Sequence, residues 1–261
     1  MNPAATATSA PLAVATLWRR ELVRFFRDRG RVVGALGTPL VFWLLIGSGF
    51  DRVFRAPGDP DGGYLAYFFP GIVVLIVLFT AIFSTFSVIE DRQLGFLQGV
   101  LVAPVARTSI VLGKVLGGAT LAVVQALAFI ALAPTVGIPL TVGRVAAAAG
   151  ILALVAVALT AFGFALAWRR ASVQGFHSIM NLLLMPMWLL SGGVFPVETA
   201  PGWLRVCMLA NPLTYGVSAL RSVLEPASAG GAFPSMGVAL GVTILFLFVC
   251  LWASARAVQR G

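Results

Sequence analysis

The side chains in this chain that could do chemistry gather in two short stretches, residues 17–29 (LWRRELVRFFRDR) and 89–114 (IEDRQLGFLQGVLVAPVARTSIVLGK). On an ideal helix, at about 100° per residue, Trp18, Leu22, Phe25 and Phe26 of the first stretch share one arc, and Arg20, Arg24 and Arg27 fall opposite them. A basic amphipathic helix of this kind either rests on a membrane surface, drawn to anionic lipid, or docks a partner on its charged face. Lipid anchoring is the simpler of the two roles. In the second stretch Glu90, Asp91 and Arg92 mark where an apolar run ends. Phe96, Leu97, Val100 and Leu101 then form an apolar stripe at helical spacing, which Pro104 stops. An apolar stripe between charged ends needs a cover, from lipid, the basic helix or another protein. The pattern favours a protein.

Other chemistries lack their residues. No G-x-x-x-x-G-K-[ST] loop is present to cradle nucleotide phosphates; Gly113-Lys114 comes nearest, but Val115 follows and the chain continues into an apolar run. His177 is the only histidine, and Cys207 and Cys250 have neither metal-type spacing nor the pattern of a disulfide framework. No paired carboxylates lie within an apolar run, where ion-coupled carriers commonly place them, and Glu90 at a run's end is the nearest candidate. The expectation is a chain that is not itself an enzyme, holds no metal or cofactor, and draws any transport energy from another subunit.

The elements that position these residues are membrane helices. Hydrophobic residues make up 59% of the 261 and charged residues 10%, where a soluble domain carries about 25% charged. Mean hydropathy is +0.98. About 20 apolar residues cross a bilayer as a helix. Six runs qualify: 32–50, one within 62–89, one from about 110 to 134, 145–168, one within 171–195, and about 236–255. Residues 1–16, Ala/Thr-rich and without early basic residues, read as a disordered tail. Residues 195–226 are apolar but broken by Pro196, Pro201 and Pro212, which suits short re-entrant or interfacial helices, with Trp203 and Tyr215 at the interface. Gln125 and Asn181 are polar residues inside runs. They either line a substrate path or, as is commoner, hydrogen-bond a neighbouring helix. Gly30/Gly34, Gly113/Gly117 and Gly237/Gly241 match the small-residue packing pattern. With six spans and both ends in the cytoplasm, 13 of the 18 Lys and Arg fall inside and 5 outside, as the positive-inside rule requires. The net charge of +9 is therefore a membrane signature and calls for no nucleic acid.

The order of these parts resembles the ABC-2 type permeases and, within them, the drug-resistance exporters of the daunorubicin kind. Residues 90–114 look like that family's cytoplasmic loop. Residues 189–221 (LLSGGVFPVETAPGWLRVCMLANPLTYGVSALR) look like its segment before the last span, with Ser191-Gly192, Phe195-Pro196, Pro201, Trp203-Leu204, Asn211-Pro212 and Arg221 at pattern positions. The resemblance implies two permease copies working with two cytoplasmic ATPase subunits, which bind the ATP and Mg. It implies a connecting helix at 17–30 with Arg20, Arg24 and Arg27, and a coupling loop at 90–109 with Glu90, Asp91, Arg92, Gly95, Phe96 and Leu97. The segment 196–226 would form an outer gate with Phe195, Pro196, Trp203, Asn211 and Pro212. Family members often carry an acidic residue near Gln98 and Gly99, and this chain does not. The whole is expected to be an all-α integral membrane domain over 17–261 in the cell membrane, exporting an amphipathic drug, lipid or lipid-linked glycan. A stand-alone secondary transporter and a membrane scaffold are the alternatives.

Overall fold

The structure is a computed structural model that describes residues 10–27, 29–50, 63–102, 106–225 and 234–260. Residues 1–9, Arg52, Arg55, Pro104 and Pro226, which entered the sequence reading, lie outside the described residues. The helices are α1 (Ala10–Arg27), α2 (Arg29–Phe50), α3 (Tyr64–Ser84), α4 (Phe86–Gln93), α5 (Phe96–Val102), α6 (Arg107–Ile130), α7 (Val142–Ala167), α8 (Val173–Leu189), α9 (Gly202–Ala210), α10 (Pro212–Leu224) and α11 (Met236–Arg260). The chain is an all-α membrane protein. Four of its described helices are long and apolar enough to cross a bilayer: Tyr64–Gln93, Arg107–Ile130, Val142–Ala167 and Met236–Gln259. The other two expected spans are shorter. The apolar part of α2 is Leu36–Phe50, and α8 has 17 residues.

Burial ranks the helices by place. In α3 78% of the apolar window is covered by protein, against 17% in α11. Accordingly α3 sits at the centre, packed by α2, α6, α7, α8 and α10, and α11 lies along α7 and α10. An α3 that is apolar on all sides fits a helix surrounded by protein. On α11 the exposed Leu245, Phe248, Val249 and Trp252 need a non-aqueous solvent.

Helix α1 begins at Ala10, ahead of the expected start at Leu17, so residues 10–16 belong to it and not to a tail. Ala-rich sequence favours this, and Pro11 falls in the first turn where proline is tolerated. The helix is held by more than an amphipathic surface. It crosses α6 where Gly113 and Gly117 offer no side chain: a Cβ at Gly113 would stand 2.6 Å from Cβ of Leu17, and one at Gly117 would stand 2.7 Å from Cβ of Glu21. Of the three small-residue pairs, this one is a helix crossing. Gly34, Gly237 and Gly241 have nothing within 4 Å of a built Cβ.

Short polar caps set where other helices start. The Thr141, Ser172 and Asn211 side chains accept from the backbone N–H of Arg144, Gly175 and Leu213. The expected short helices before the last span are α9 and α10, with Asn211-Pro212 as the corner between them. Asn211 Oδ1 accepts from Leu213 N at 3.1 Å, and its Nδ2 donates to Met187 O on α8 at 2.6 Å. Asn211→Ala removes both, and a fall of about 1–2 kcal/mol in stability is expected. Asn211→Ser keeps a capping oxygen and loses only the tie to α8. An apparent melting temperature for Asn211→Ser between wild type and Asn211→Ala is the expected order.

Candidate functional site

A cluster of six ionised side chains joins α1, α4 and α6. Glu21 lies on the buried face of α1 together with Leu17 and Phe25. Asp91, near the end of α4, has 0% exposure, and Lys114, on α6, is buried. Lys114 Nζ donates to Glu21 Oε1 at 2.5 Å, to Ser87 Oγ at 3.1 Å, and to Asp91 Oδ2. Arg20 reaches Asp91 with both terminal nitrogens, Nη1 to Oδ2 and Nη2 to Oδ1, each at 2.6 Å. Arg24 donates to Asp91 Oδ1 at 3.3 Å and pairs with Glu90. Three cations face three anions, so the cluster is neutral. Its two-pronged Arg–carboxylate geometry is the strong form of such a contact. The hydrogen bond to Asp91 is the main reason the Arg20 guanidinium holds its proton above the ordinary arginine value, against the opposing effect of burial.

Arg20 also joins a fourth element. Its guanidinium carbon lies 3.8 Å from the centroid of the Phe96 ring, on α5. The turn from α4 into α5 is made by Gly95 at φ +75°, a left-handed conformation that glycine adopts without strain. It leaves Leu94 76% exposed at the tip, with Phe96 beside it, and turns Leu97 into the core.

The structure therefore divides the expected coupling residues. Asp91 and Leu97 are buried within the chain. Glu90 is half-buried against Arg24, and Arg92 lies over the Trp168 ring at 5.0 Å. Arg20 and Arg24 are half-buried and tied to the loop, and Arg27 is exposed. Among the described loop residues, Gln93, Leu94, Gly95, Phe96, Gln98 and Gly99 are exposed, with Leu94 and Phe96 the large apolar side chains among them, beside the outer basic edge of α1. Leu94 was not anticipated.

At the opposite end of the bundle, Arg221 of α10 lies over the Tyr67 ring at 4.0 Å. Arg221 Nη2 donates to the Gly192 carbonyl at 3.1 Å, and Tyr67 Oη donates to the same carbonyl at 2.9 Å. Phe195 is half-buried, Pro196 is buried, and Trp203 is 72% exposed on α9.

Between α1, α2, α3 and α8 lies a cavity of about 460 Å³, within the range of about 300–1,000 Å³ usual for small-molecule sites. Six of its sixteen lining residues are aromatic (Phe25, Phe42, Phe79, Phe83, Phe86 and Trp188), and Glu21 and Arg24 border it at the α1 end. The two polar span residues part company here. Gln125 is buried and accepts from Thr80 Oγ1 on α3 at 2.8 Å, so it does bond a neighbouring helix. Asn181 does not: it is exposed on α8 and its only hydrogen-bond contact among the described residues is His177 on the same helix, at 3.3 Å. The His177 ring stacks on Phe83, which lines the cavity.

A multi-pass membrane protein with a loop fastened to its amphipathic first helix is the class this arrangement defines. The ABC-2 type transporter family profile matches residues 13–224, and the chain belongs to that family as the membrane subunit of an ABC transporter. It is similar to the daunorubicin resistance ABC transporter permease protein DrrB1 of Streptomyces coeruleorubidus, 27% identical over 230 residues, 85% of this chain and 77% of that one. It is also similar to the putative transport permease ycf38 of Cyanophora paradoxa, 25% identical over 214 residues, 81% and 74% of the two chains. Nodulation protein J of Rhizobium meliloti (strain 1021) is 24% identical over 250 residues, 94% and 92%.

Proposed function

We propose that this chain is the permease half of an exporter. Two copies, or one copy and a related permease, work with two cytoplasmic ATPase subunits that bind the ATP and Mg, in the cell membrane with both termini inside. The substrate is an amphipathic drug, lipid or lipid-linked glycan. The similarity to a daunorubicin resistance permease favours the drug class, and the aromatic walls of the cavity suit it.

The observation that carries this reading is the neutral ion cluster beneath the exposed Leu94–Phe96 tip. An ATPase seated on Leu94 and Phe96 would press on α5 and α4. Phe96 bears on Arg20, Arg20 on Asp91, and Asp91 on Lys114 of α6. Movement at the tip would thus reach α1 and α6 together. The two permeases would rock and open the path between them outward, because the ATP-bound pair of ATPases contacts one arrangement better than the other.

The test uses the chain purified in nanodiscs with the ATPase encoded beside it. Leu94→Asp places a charge in the proposed contact and touches nothing in the core, so the variant should fold as wild type. Permease-dependent ATPase activity is expected to fall about tenfold or more, in line with placing a charge at the centre of an interface. Unchanged activity would remove the loop tip from the contact. Failure to bind any ATPase made with it would favour the scaffold or the stand-alone carrier.

A further inference from the structure

Glu21 belongs to two structures at once. It is one of the three anions of the ion cluster, and it lines the cavity between α1, α2, α3 and α8. The residue is 5% exposed, and its two carboxylate oxygens are used unequally. Oε1 accepts from Lys114 Nζ at 2.5 Å and lies 3.8 Å from Arg20 Nη1. Oε2 has no hydrogen-bond partner among the described residues, and it is not fully covered. A carboxylate oxygen held away from bulk water without a donor is unfavourable. A donor delivered by a ligand in the cavity would remove that cost. The surroundings set the ligand's charge. The cluster is already neutral, and Arg24 lines the same cavity. A cation brought to Oε2 would meet an arginine, and an anion would meet Glu21 itself. A neutral N–H or O–H group satisfies both. The wall beyond supplies six aromatic rings, which offer faces and edges to a flat ring system.

We propose that Glu21 is a recognition residue of this cavity, its Oε2 accepting a hydrogen bond from a neutral N–H or O–H donor on a planar, apolar ligand. The inference deepens the export reading and rests on it for why such a ligand would be present, but binding itself needs no ATPase. Recognition at this residue also reaches the loop. The carboxylate that the ligand engages is the one that holds Lys114, and Lys114 holds Asp91 beneath Arg20 and Phe96. Apolar walls alone discriminate weakly between ligands of one shape. A site with a buried acceptor rejects the analogue that lacks the donor.

Three neutral tricyclic probes of one outline separate these effects: carbazole carries an N–H donor, fluorene neither donor nor acceptor, and fluorenone a carbonyl acceptor. Binding is measured to the permease alone in nanodiscs of zwitterionic lipid, with the partition of each probe into empty nanodiscs subtracted. Wild type is expected to bind carbazole roughly tenfold tighter than fluorene, the worth of one hydrogen bond to a charged acceptor, and fluorenone no tighter than fluorene. Glu21→Gln should reverse the order. Its Oε1 can still accept from Lys114, which leaves an amide donor where Oε2 stood, so fluorenone becomes preferred over carbazole. A merely structural role for Glu21 would lower all three affinities together. Glu21→Gln leaves the cluster one charge positive. If that form is not recovered, Glu21→Gln/Lys114→Met restores neutrality and should still lose the carbazole preference. Equal affinity of wild type for carbazole and fluorene, or a carbazole preference that survives in either variant, overturns the assignment of Glu21. Binding of no probe above empty nanodiscs overturns the cavity as a ligand site. An absence of ATPase coupling with the carbazole preference intact would count against the export reading alone.

Discussion

Asp91→Asn is expected to be the most damaging single polar substitution in the chain, lowering stability by about 3–5 kcal/mol. The carboxylate has 0% exposure and takes hydrogen bonds from Arg20, Arg24 and Lys114. Asparagine keeps the shape and removes the charge, so three cations are left facing Glu21 and Glu90. The loss does not fall evenly. Arg20 and Arg24 retain partial contact with solvent, but Lys114 is buried and has no such relief. Lys114→Met alone errs in the other direction, leaving Glu21 and Asp91 with one cation fewer. The double variant Asp91→Asn/Lys114→Met restores neutrality and fills the Lys114 site with an apolar chain of similar length. Its cost is therefore expected to be smaller than the sum of the two single costs, by about 1–3 kcal/mol, as for contacting residues of one network. Apparent melting temperature in detergent, with recovery of monodisperse protein, provides the measurement. Asp91→Asn melting as wild type, or simple additivity of the pair, would show that the cluster is not the tie between α1, α4 and α6.

The cluster also marks the limit of what sequence shows. Hydropathy placed the helices well because the lipid solvent demands long uncharged runs, and prolines betrayed the broken segment that became α9 and α10. The loop at α4 and α5 was visible as a charged exit followed by an apolar stripe. The pairing was not visible. Glu21 and Lys114 are 93 positions apart and Arg20 and Asp91 are 71 apart, and helical spacing says nothing about such distances. Two local signals were present and carried the information. Glu21 falls on the apolar face of α1, at Leu17 plus four and Phe25 minus four, where an acid has no reason to be unless a cation meets it. Lys114 stands inside an otherwise uncharged run, and an ionisable residue there implies a partner within the protein. That Leu97 is buried while Leu94, which the sequence did not single out, is exposed has a different reason. The left-handed Gly95 rotates the chain between them, and sequence did not reveal the sign of its φ.

At the other end of the bundle the limiting contact is backbone on backbone, and there Gly71→Ala is expected to cost about 3 kcal/mol. A Cβ built on Gly71 would lie 2.7 Å from both the Cα and the carbonyl oxygen of Gly193. Neither atom can turn away as a side chain would, so the turn after α8 must move off α3. That turn is fastened by several bonds at once. Trp188 Nε1 donates to Gly71 O at 2.9 Å, Tyr64 Oη to Val194 O at 2.8 Å, and Tyr67 Oη and Arg221 Nη2 both donate to Gly192 O. Gly192 itself holds φ +78°, which resists replacement on separate grounds. Displacing the turn weakens these bonds together, each worth about 0.5–1.5 kcal/mol, in addition to the overpacking cost of about 1–3 kcal/mol. Gly150→Ala in the middle of α7 is the matched control. Nothing lies within 4 Å of its built Cβ, and removing a mid-helix glycine should raise stability by about 0.5–1 kcal/mol. The same chemical change is thus expected to act with opposite sign at two glycines, both within apolar helices. Melting temperatures that rise for Gly150→Ala and fall steeply for Gly71→Ala would establish that α3 and the turn at 191–194 form one closed contact. Equal shifts at the two sites would mean that the turn yields freely, and the bonds around Gly192 would then not hold this end of the bundle shut.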